Sequence, residues 1–415
     1  MVHNGTFTFM VLCPRKYRFP INFPKNYCGG LEKTLLTQPF PWQRTQKRIR
    51  KNFLSSSTMK KRKHCVSYTA VGVMSGTSLD GLDMALARFT ETARGWKYHL
   101  IDATTVPYSP EWVTRLSEAH HHLERSLIDL HVEYGEWIGE QVKKFLDKQA
   151  VPADLIGSHG HTIIHRPEIE ITVQIGDGPS IARKTGITTI YNFRHRDVSL
   201  GGQGAPLVPM GDRELFREYD ACLNIGGFSN ISYRKNDKRI AYDIGPANIL
   251  LNKYVREHFS VPFDRNGELG RKGRPVPEML YRLNQQIFYR QPPPKSLGRE
   301  WVERNILPVI NRTQATHEDI LRTLYEHISD LIYFELLPFE KVLVTGGGAF
   351  NTFLVELIEE KGGRPLTLPD PLLVNYKEAL VFGFLAVLRF LGRINCLASV
   401  TGAKHDNMGG FIYRV

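Results

Sequence analysis

An α/β protein of two lobes is what the sequence predicts, and three observations predict it. Two separate stretches, GVMSGTSLDG (72–81) and LNIGGFSNIS (223–232), each interrupt a strand-like alternation with a short tip rich in glycine and polar side chains. A third, KVLVTGGGAFNTFLVELIEE (341–360), runs from a buried strand through a glycine turn into a helix. The chain has 415 residues, enough for two hydrophobic cores, and 42% of them are hydrophobic against 23% charged, an ordinary balance for a globular protein.

Charge is not spread evenly. Of the net +12, residues 1–70 carry +13, with fourteen Lys and Arg against Glu32 alone, so the remainder is close to neutral at −1. Nucleic-acid binding by the body is therefore not expected, and the leader holds no recognisable binding module. Residues 1–58 lack helical or strand periodicity and end in a basic tract. They read as a transit peptide, a flexible basic arm or sequence upstream of the true start, and Met59-Lys60-Lys61 favours the last. No apolar run reaches the ~18 residues of a membrane span. ALVFGFLAVLRFL (379–391) is shorter, contains Arg389 and reads as a core helix. The five cysteines (13, 28, 65, 222 and 396) are scattered and odd in number, which suits a reducing, cytoplasmic setting and no metal motif.

In chain order, strands over roughly Tyr68–Met74 and Met84–Phe89 flank a turn in which Gly76 frees the backbone for positive φ. That turn is either a phosphate cradle, with Asp80 or Asp83 available for a hydrated metal ion, or an ordinary polar hairpin tip. Ser109-Pro110-Glu111 opens a helical stretch expected to run to about Gln149. Strand-like DLIGSHG, EITVQIGD and ITTIYNF follow, then the glycine loop LGGQGAPLVP (200–209). The second half restarts with ACLNIGGFSNISY and RIAYDIG, and helices then dominate to Phe339. Two tips facing across a cleft, with a helix N-terminus at Ala349 as a third element, would suit a nucleoside triphosphate. Neither the Walker A nor the dinucleotide-binding glycine pattern is present. The expected lobes are 67–212, completed by 379–415, and 213–378.

GVMSGTSLDGLD, GSHGHTIIH, TVQIGDG, FRHRDV, GGQGAPLVP, LNIGGFSN, YDIGPANILL, PKSLGRE and VTGGGAFN, in this order from about Val71 to Gly410, closely resemble the anhydro-N-acetylmuramic acid kinases. The resemblance implies two ribonuclease-H-like lobes of the actin/Hsp70/hexokinase type with a nucleotide cleft between them. It also implies conversion of 1,6-anhydro-N-acetylmuramate, ATP and water to N-acetylmuramate 6-phosphate and ADP, with Mg²⁺, by a homodimer. Gly76, Thr77 and Ser78 would lie near the β- and γ-phosphates and Asp80 toward Mg²⁺ through water. Gly226 and Gly227 would form a second phosphate loop; Gly346, Gly347, Gly348 and Asn351 would hold adenosine. Thr162, Arg196 and Glu378 would contact the sugar, unless the first two are structural hydrogen-bonders and the third a helix-start carboxylate.

The reaction needs a base for its water, and a sheltered carboxylate can serve. Asp243, expected to end a strand just before a Pro-initiated helix, is the candidate, matching the family's aspartate; the alternative is a helix cap. Lys295 would reach a phosphate or the lactyl carboxylate, or sit solvated on its loop. Two positions depart from the family pattern: Asn192 stands for its usual Asp, which removes a charge, and His161 for a frequent Gln. With His159, His165 and His120–His122, a zinc site is conceivable, but no spacing suits one. A levoglucosan-type kinase and a non-catalytic actin-like nucleotide binder are the alternatives.

Overall fold

In the computed structural model, residues 66–76, 79–121 and 124–415 are described. What was expected of the leader 1–58, and of Thr77, Ser78 and His122, lies outside the described residues.

The first sheet comprises β1 (Ser67–Ser75), β2 (Gly81–Thr92), β3 (Gly95–Pro107), β4 (Leu155–Ser158), β7 (Thr188–Tyr191) and β12 (Phe411–Tyr413), in the order β12-β7-β4-β1-β2-β3. β5 (His161–Arg166) and β6 (Ile171–Ile175) form a separate antiparallel ribbon. β8 (Ala221–Ile225), β9 (Phe228–Lys235), β10 (Lys238–Pro246) and β11 (Val342–Thr345) make the second sheet, in the order β10-β9-β8-β11. Both sheets follow one path. Three antiparallel strands turn back on one another, and a later strand then pairs parallel to the first, β4 on β1 and β11 on β8. This is the ribonuclease-H-like order, used twice.

Period-2 alternation decides what each face of the first sheet meets. Val71 and Val73 join a cluster with Tyr134, Ile138 and Val142 of the helix Glu124–Leu146. Ala70 and Gly72 meet the helix Pro371–Phe390 instead. That helix lies very close: a Cβ on Gly72 would come within 1.7 Å of the Ala379 carbonyl, and one on its strand partner Gly157 within 2.3 Å of the Phe382 carbonyl. The two glycines form a groove for a helix backbone, and its Phe384 packs on Phe89 and Trp96. The expected core helix over 379–391 is thus a 20-residue helix, long and apolar enough to cross a membrane by composition but buried against β1, β2 and β4. Each large side chain so buried contributes about 1.5–3 kcal/mol. In the second sheet Leu223, Ile225, Val342 and Val344 pack with residues of the helices Asn248–Phe259, His317–Leu336 and Thr352–Gly362. Cys222 and Leu343, on its other face, join the cluster around the helix Pro371–Phe390.

Some elements depart from expectation. The helix capped by the Ser109 hydroxyl ends at Ser117, and a second runs from Glu124 to Leu146. β3 was not anticipated. After Gly346 comes a single 3₁₀ turn, Gly347–Phe350, and the α-helix starts at Thr352 rather than Ala349.

Candidate active site

A cavity of about 820 Å³ is walled by groups from both sheets: Asp83 on β2, Asn224 and Gly226 at the end of β8, Asp243 on β10, Gly346 after β11, and Glu378 on the helix Pro371–Phe390. Gln203 and Pro206 of the glycine loop and Lys295 and Ser296 of a later loop complete it. Of the residues expected at the site, Gly226, Asp243, Lys295, Gly346 and Glu378 line this cavity; Gly76, Asp80, Thr162, Arg196, Gly227, Gly347, Gly348 and Asn351 do not.

Asp243 occupies the interior of β10, opposite Asn230 of β9, with a bulge between it and Gly245. The strand continues through Pro246, and the next helix starts at Asn248 with Ala247 at its cap position. The expectation that Asp243 closes a strand directly before a helix is therefore corrected, and so is its alternative as a cap. One carboxylate oxygen, Oδ2, accepts both the Ser296 hydroxyl and the Leu297 N–H at 2.9 Å. Burial pushes its carboxyl above the ordinary range, and those two donors hold it down in part. The geometry leaves a half-buried base with one oxygen anchored and the other unclaimed by any hydrogen bond among the described residues.

The glycine turns divide into two kinds. Gly346 has φ 86°, and a Cβ there would come within 2.5 Å of Asn224 Oδ1; at Gly348 one would come within 2.3 Å of Ile225. Those glycines are needed by the packing of β11 on β8. Gly347 is exposed, with nothing within 4 Å of a built Cβ, and at Gly227 only Ile249 stands near, at 3.8 Å. Neither has a positive φ, so no packing demand explains why both lack a side chain. The Gly227 carbonyl accepts the N–H groups of Ala247 and Ile249, which ties this loop to the start of the helix Asn248–Phe259. In the first tip the Gly76 carbonyl accepts from Leu79 N–H at 3.3 Å, and Leu79 has φ 60°. Asn351 caps the helix Thr352–Gly362, its Oδ1 accepting Leu354 N–H while its Nδ2 donates to Tyr325.

Where β4 and β7 end, an enclosed pair was missed by the sequence. Arg194 donates through Nε to His159 Nε2 at 2.9 Å and through a terminal nitrogen to the Gly204 carbonyl at 2.8 Å. A guanidinium only donates, so His159 accepts at Nε2 and gives its Nδ1 proton to the Gly160 carbonyl, 2.8 Å away. Burial first, then Arg194, holds that imidazole well below its usual pKa, and it is neutral. The expected Arg196 is solvent-exposed instead. Glu378 is exposed at the cavity, and reduced hydration there raises its carboxyl, against the pull of Arg194. Thr162 lies half-buried on β5, opposite Gln174.

Asp83 accepts the Thr105 hydroxyl at 2.6 Å, and its carboxyl is raised by burial, with Asp80 adding repulsion. Asp80 itself is exposed. Asp83 lines the cavity and Asp80, though not in its lining, is near enough to act on it; carboxylates so placed would suit a hydrated Mg²⁺, which keeps most of its waters. Among the described residues no group of three or more His, Cys, Asp or Glu could hold a metal ion directly. His161 instead bonds Ser75 through Nδ1 at 2.8 Å, in a chain that continues to Tyr108 and Tyr134, and burial lowers its pKa to about 4. Asn192 has φ 55°, a left-handed conformation that Asn tolerates, and its buried Oδ1 has no partner. In the cavity lining Lys377 and Asp212 pair at 2.7 Å, both nearly inaccessible, with Ser232 donating to Asp212 and Arg239 alongside.

A model of the anhydro-N-acetylmuramic acid kinase family matches residues 68–415. The anhydro-N-acetylmuramic acid kinase of Mannheimia succiniciproducens is 34% identical over 369 residues, covering 83% of this chain and 98% of that protein. Its counterpart in Xanthomonas oryzae pv. oryzae is 35% identical over 376 residues, covering 84% and 98%. That of Bacillus cereus is 34% identical over 380 residues, covering 82% and 98%.

Proposed function

The chain belongs to the anhydro-N-acetylmuramic acid kinase family, and from that membership and the chemistry of the cavity we infer that it is an ATP-dependent sugar kinase converting 1,6-anhydro-N-acetylmuramate, ATP and water to N-acetylmuramate 6-phosphate and ADP. The observation that carries the reading is Asp243, a half-buried carboxylate with one oxygen clamped and the other free on the cavity wall.

The substrate's O6 is an acetal oxygen with no proton and two carbon bonds, so it becomes a competent phosphoryl acceptor only as its bond to C1 breaks. Water adds at C1, the C1–O6 electron pair goes to O6, and O6 takes the γ-phosphoryl group from ATP. The water's proton must go to a base. Asp243 fits that task because burial strengthens it as a base while Ser296 and Leu297 favour its ionised form. Phosphoryl transfer then needs positioning and charge neutralisation. Gly227 and Gly347, open to ligand, support close approach of phosphate or adenosine to backbone, with Gly76, Thr77, Ser78 and Gly226 in the same reading. Gly346, Gly348 and Asn351 shape the third turn. Mg²⁺, placed near Asp80 and Asp83, would neutralise the phosphate charge.

On the sugar side, Glu378 and Thr162 remain assigned. The enclosed Arg194 suits the lactyl carboxylate better than the exposed Arg196, since a guanidinium held by His159 and Gly204 is already oriented. The lobes are read as 67–212 with 379–415, and 213–378, in keeping with the strands each sheet uses. A homodimer in the cytoplasm belongs to the same reading, supported there by the family resemblance and by two buried free thiols, Cys222 and Cys396. Phosphorus and carbon NMR of the product from 1,6-anhydro-N-acetylmuramate and MgATP tests it: phosphate on O6 of an opened sugar is expected, and phosphate elsewhere or an intact anhydro bridge contradicts it.

A further inference from the structure

Lys295 was expected to reach a ligand or to stand in solvent, and it lines the cavity without standing in solvent. Its side chain is 4% exposed, donates to the Tyr289 carbonyl at 3.1 Å, and lies 3.9 Å from Glu335. Its ammonium sits over the rings of Tyr242 and Phe288, at 5.4 and 5.1 Å. Glu335 also accepts the hydroxyl of Tyr242, the residue just before Asp243 on β10, at 2.6 Å. The main chain of Lys295 meets Asp243 directly, its carbonyl accepting the Asp243 N–H at 3.1 Å. The next two residues, Ser296 and Leu297, supply both donors to Asp243 Oδ2.

We propose that Lys295 is a positioning residue for the hydrolytic half of the reaction: it pins the strap 294–297 so that Ser296 and Leu297 fix one oxygen of Asp243 and leave the other for the attacking water. The proposal rests on Asp243 being the base. It explains why a lysine is buried beside the cavity with its charge spent on a carbonyl, two rings and Glu335. Without that anchor the strap would have only its main-chain contact to β10, and the clamp on Oδ2 would loosen. The titratable groups facing the strap are Glu335, Tyr242 and Tyr289, while β9 presents the neutral Asn230. Asp83, His165, Asp212, Lys377 and Glu378 line the same cavity.

The test is kcat against pH for the full chain with saturating MgATP and 1,6-anhydro-N-acetylmuramate, for the parent, Ser296→Ala, Ser296→Thr, Lys295→Met and Asp243→Asn. Loss of a hydrogen bond to the ionised form raises a carboxyl's pKa, so in Ser296→Ala the acid limb moves up by about one pH unit, and Ser296→Thr restores it. Lys295→Met, which keeps the apolar stem, moves the limb the same way. It loses roughly tenfold in kcat below neutrality, recovers part of that at higher pH, and leaves both KM values within about twofold. A uniform loss at every pH, or profiles that do not move, overturns the proposal. If thermal melting shows Lys295→Met unfolded, the Ser296 pair, altered at an exposed hydroxyl, decides alone. Near-parental turnover by Asp243→Asn refutes the base itself; a dead Asp243→Asn beside unmoved strap variants refutes only the strap.

Discussion

The two sheets share one strand path and use it for different work. The second sheet presents Asp243 from the middle of a strand, clamped by two neutral donors and met by no hydrogen-bonded cation among the described residues. On the side of the first sheet, Glu378 stands at a helix face among charges, with Arg194, Asp83 and Lys377 all in electrostatic reach. Reduced hydration raises both carboxyls. Under the proposed function the difference separates their roles: Asp243 has its charged form supported by hydrogen bonds that leave an oxygen free, as a base needs, whereas Glu378, with Arg194 in electrostatic reach, would hold the substrate.

The widest separation between these regions is expected from paired substitutions. Asp243→Asn should lower kcat by roughly 10² to 10⁴ with KM little changed, since its amide oxygen can accept both strap donors but no group remains to take the proton. Glu378→Gln should instead raise the KM for the sugar several-fold and cost less in kcat. If steady-state kinetics put the larger kcat loss on Glu378→Gln, the two roles are reversed.

A second contrast separates the glycines. Gly227→Val and Gly347→Val should weaken ATP binding by about tenfold or more in calorimetry while leaving the melting temperature near the parent's, because their Cβ positions are open. Gly348→Ala should cost about 1–3 kcal/mol of stability, as its Cβ would strike Ile225. Equal destabilisation of all three would remove the division between ligand and packing glycines.

The smallest effect is on stability against pH. Asp243 titrates higher in the folded protein than in the unfolded chain, so its protonation favours folding at low pH and that contribution is lost as pH rises through the folded value. Asp243→Asn should therefore melt no lower than the parent at pH 7, with the difference between them shrinking toward pH 4. A variant less stable than the parent at neutral pH would mean that the carboxylate is a structural anchor.

What the sequence disclosed depended on the range of the contacts. The β1 turn and β8 tip were legible because apolar alternation stops at small polar residues and resumes, a local signal. β3 was not, since most of its side chains are half-buried or exposed and only Trp96 is fully inside, so GWKYHLIDATTVP shows no clean alternation. Arg194 and Arg196 cannot be told apart by type; the contacts that enclose Arg194 come from His159, 35 residues away, and from the loop carbonyl of Gly204. The burial of the Lys295 side chain was not legible because its partners are a main-chain oxygen, ring faces and Glu335, none of which leaves a motif. His161 meets Ser75 across 86 residues. Asp243 was identified by its motif and by chemistry, while the strap that gives it its geometry joins it to residues 53 and 54 positions later.

The most direct measurement of the central claim is a time course of Asp243→Asn with 1,6-anhydro-N-acetylmuramate and MgATP, following phosphorus at O6 and carbon at C1 together by NMR, after calorimetry has established that both ligands bind as tightly as to the parent. Asp243 as the base requires phosphorylation and ring opening to slow together, by roughly 10² to 10⁴. Either event proceeding at near the parental rate, or one proceeding without the other, would contradict it.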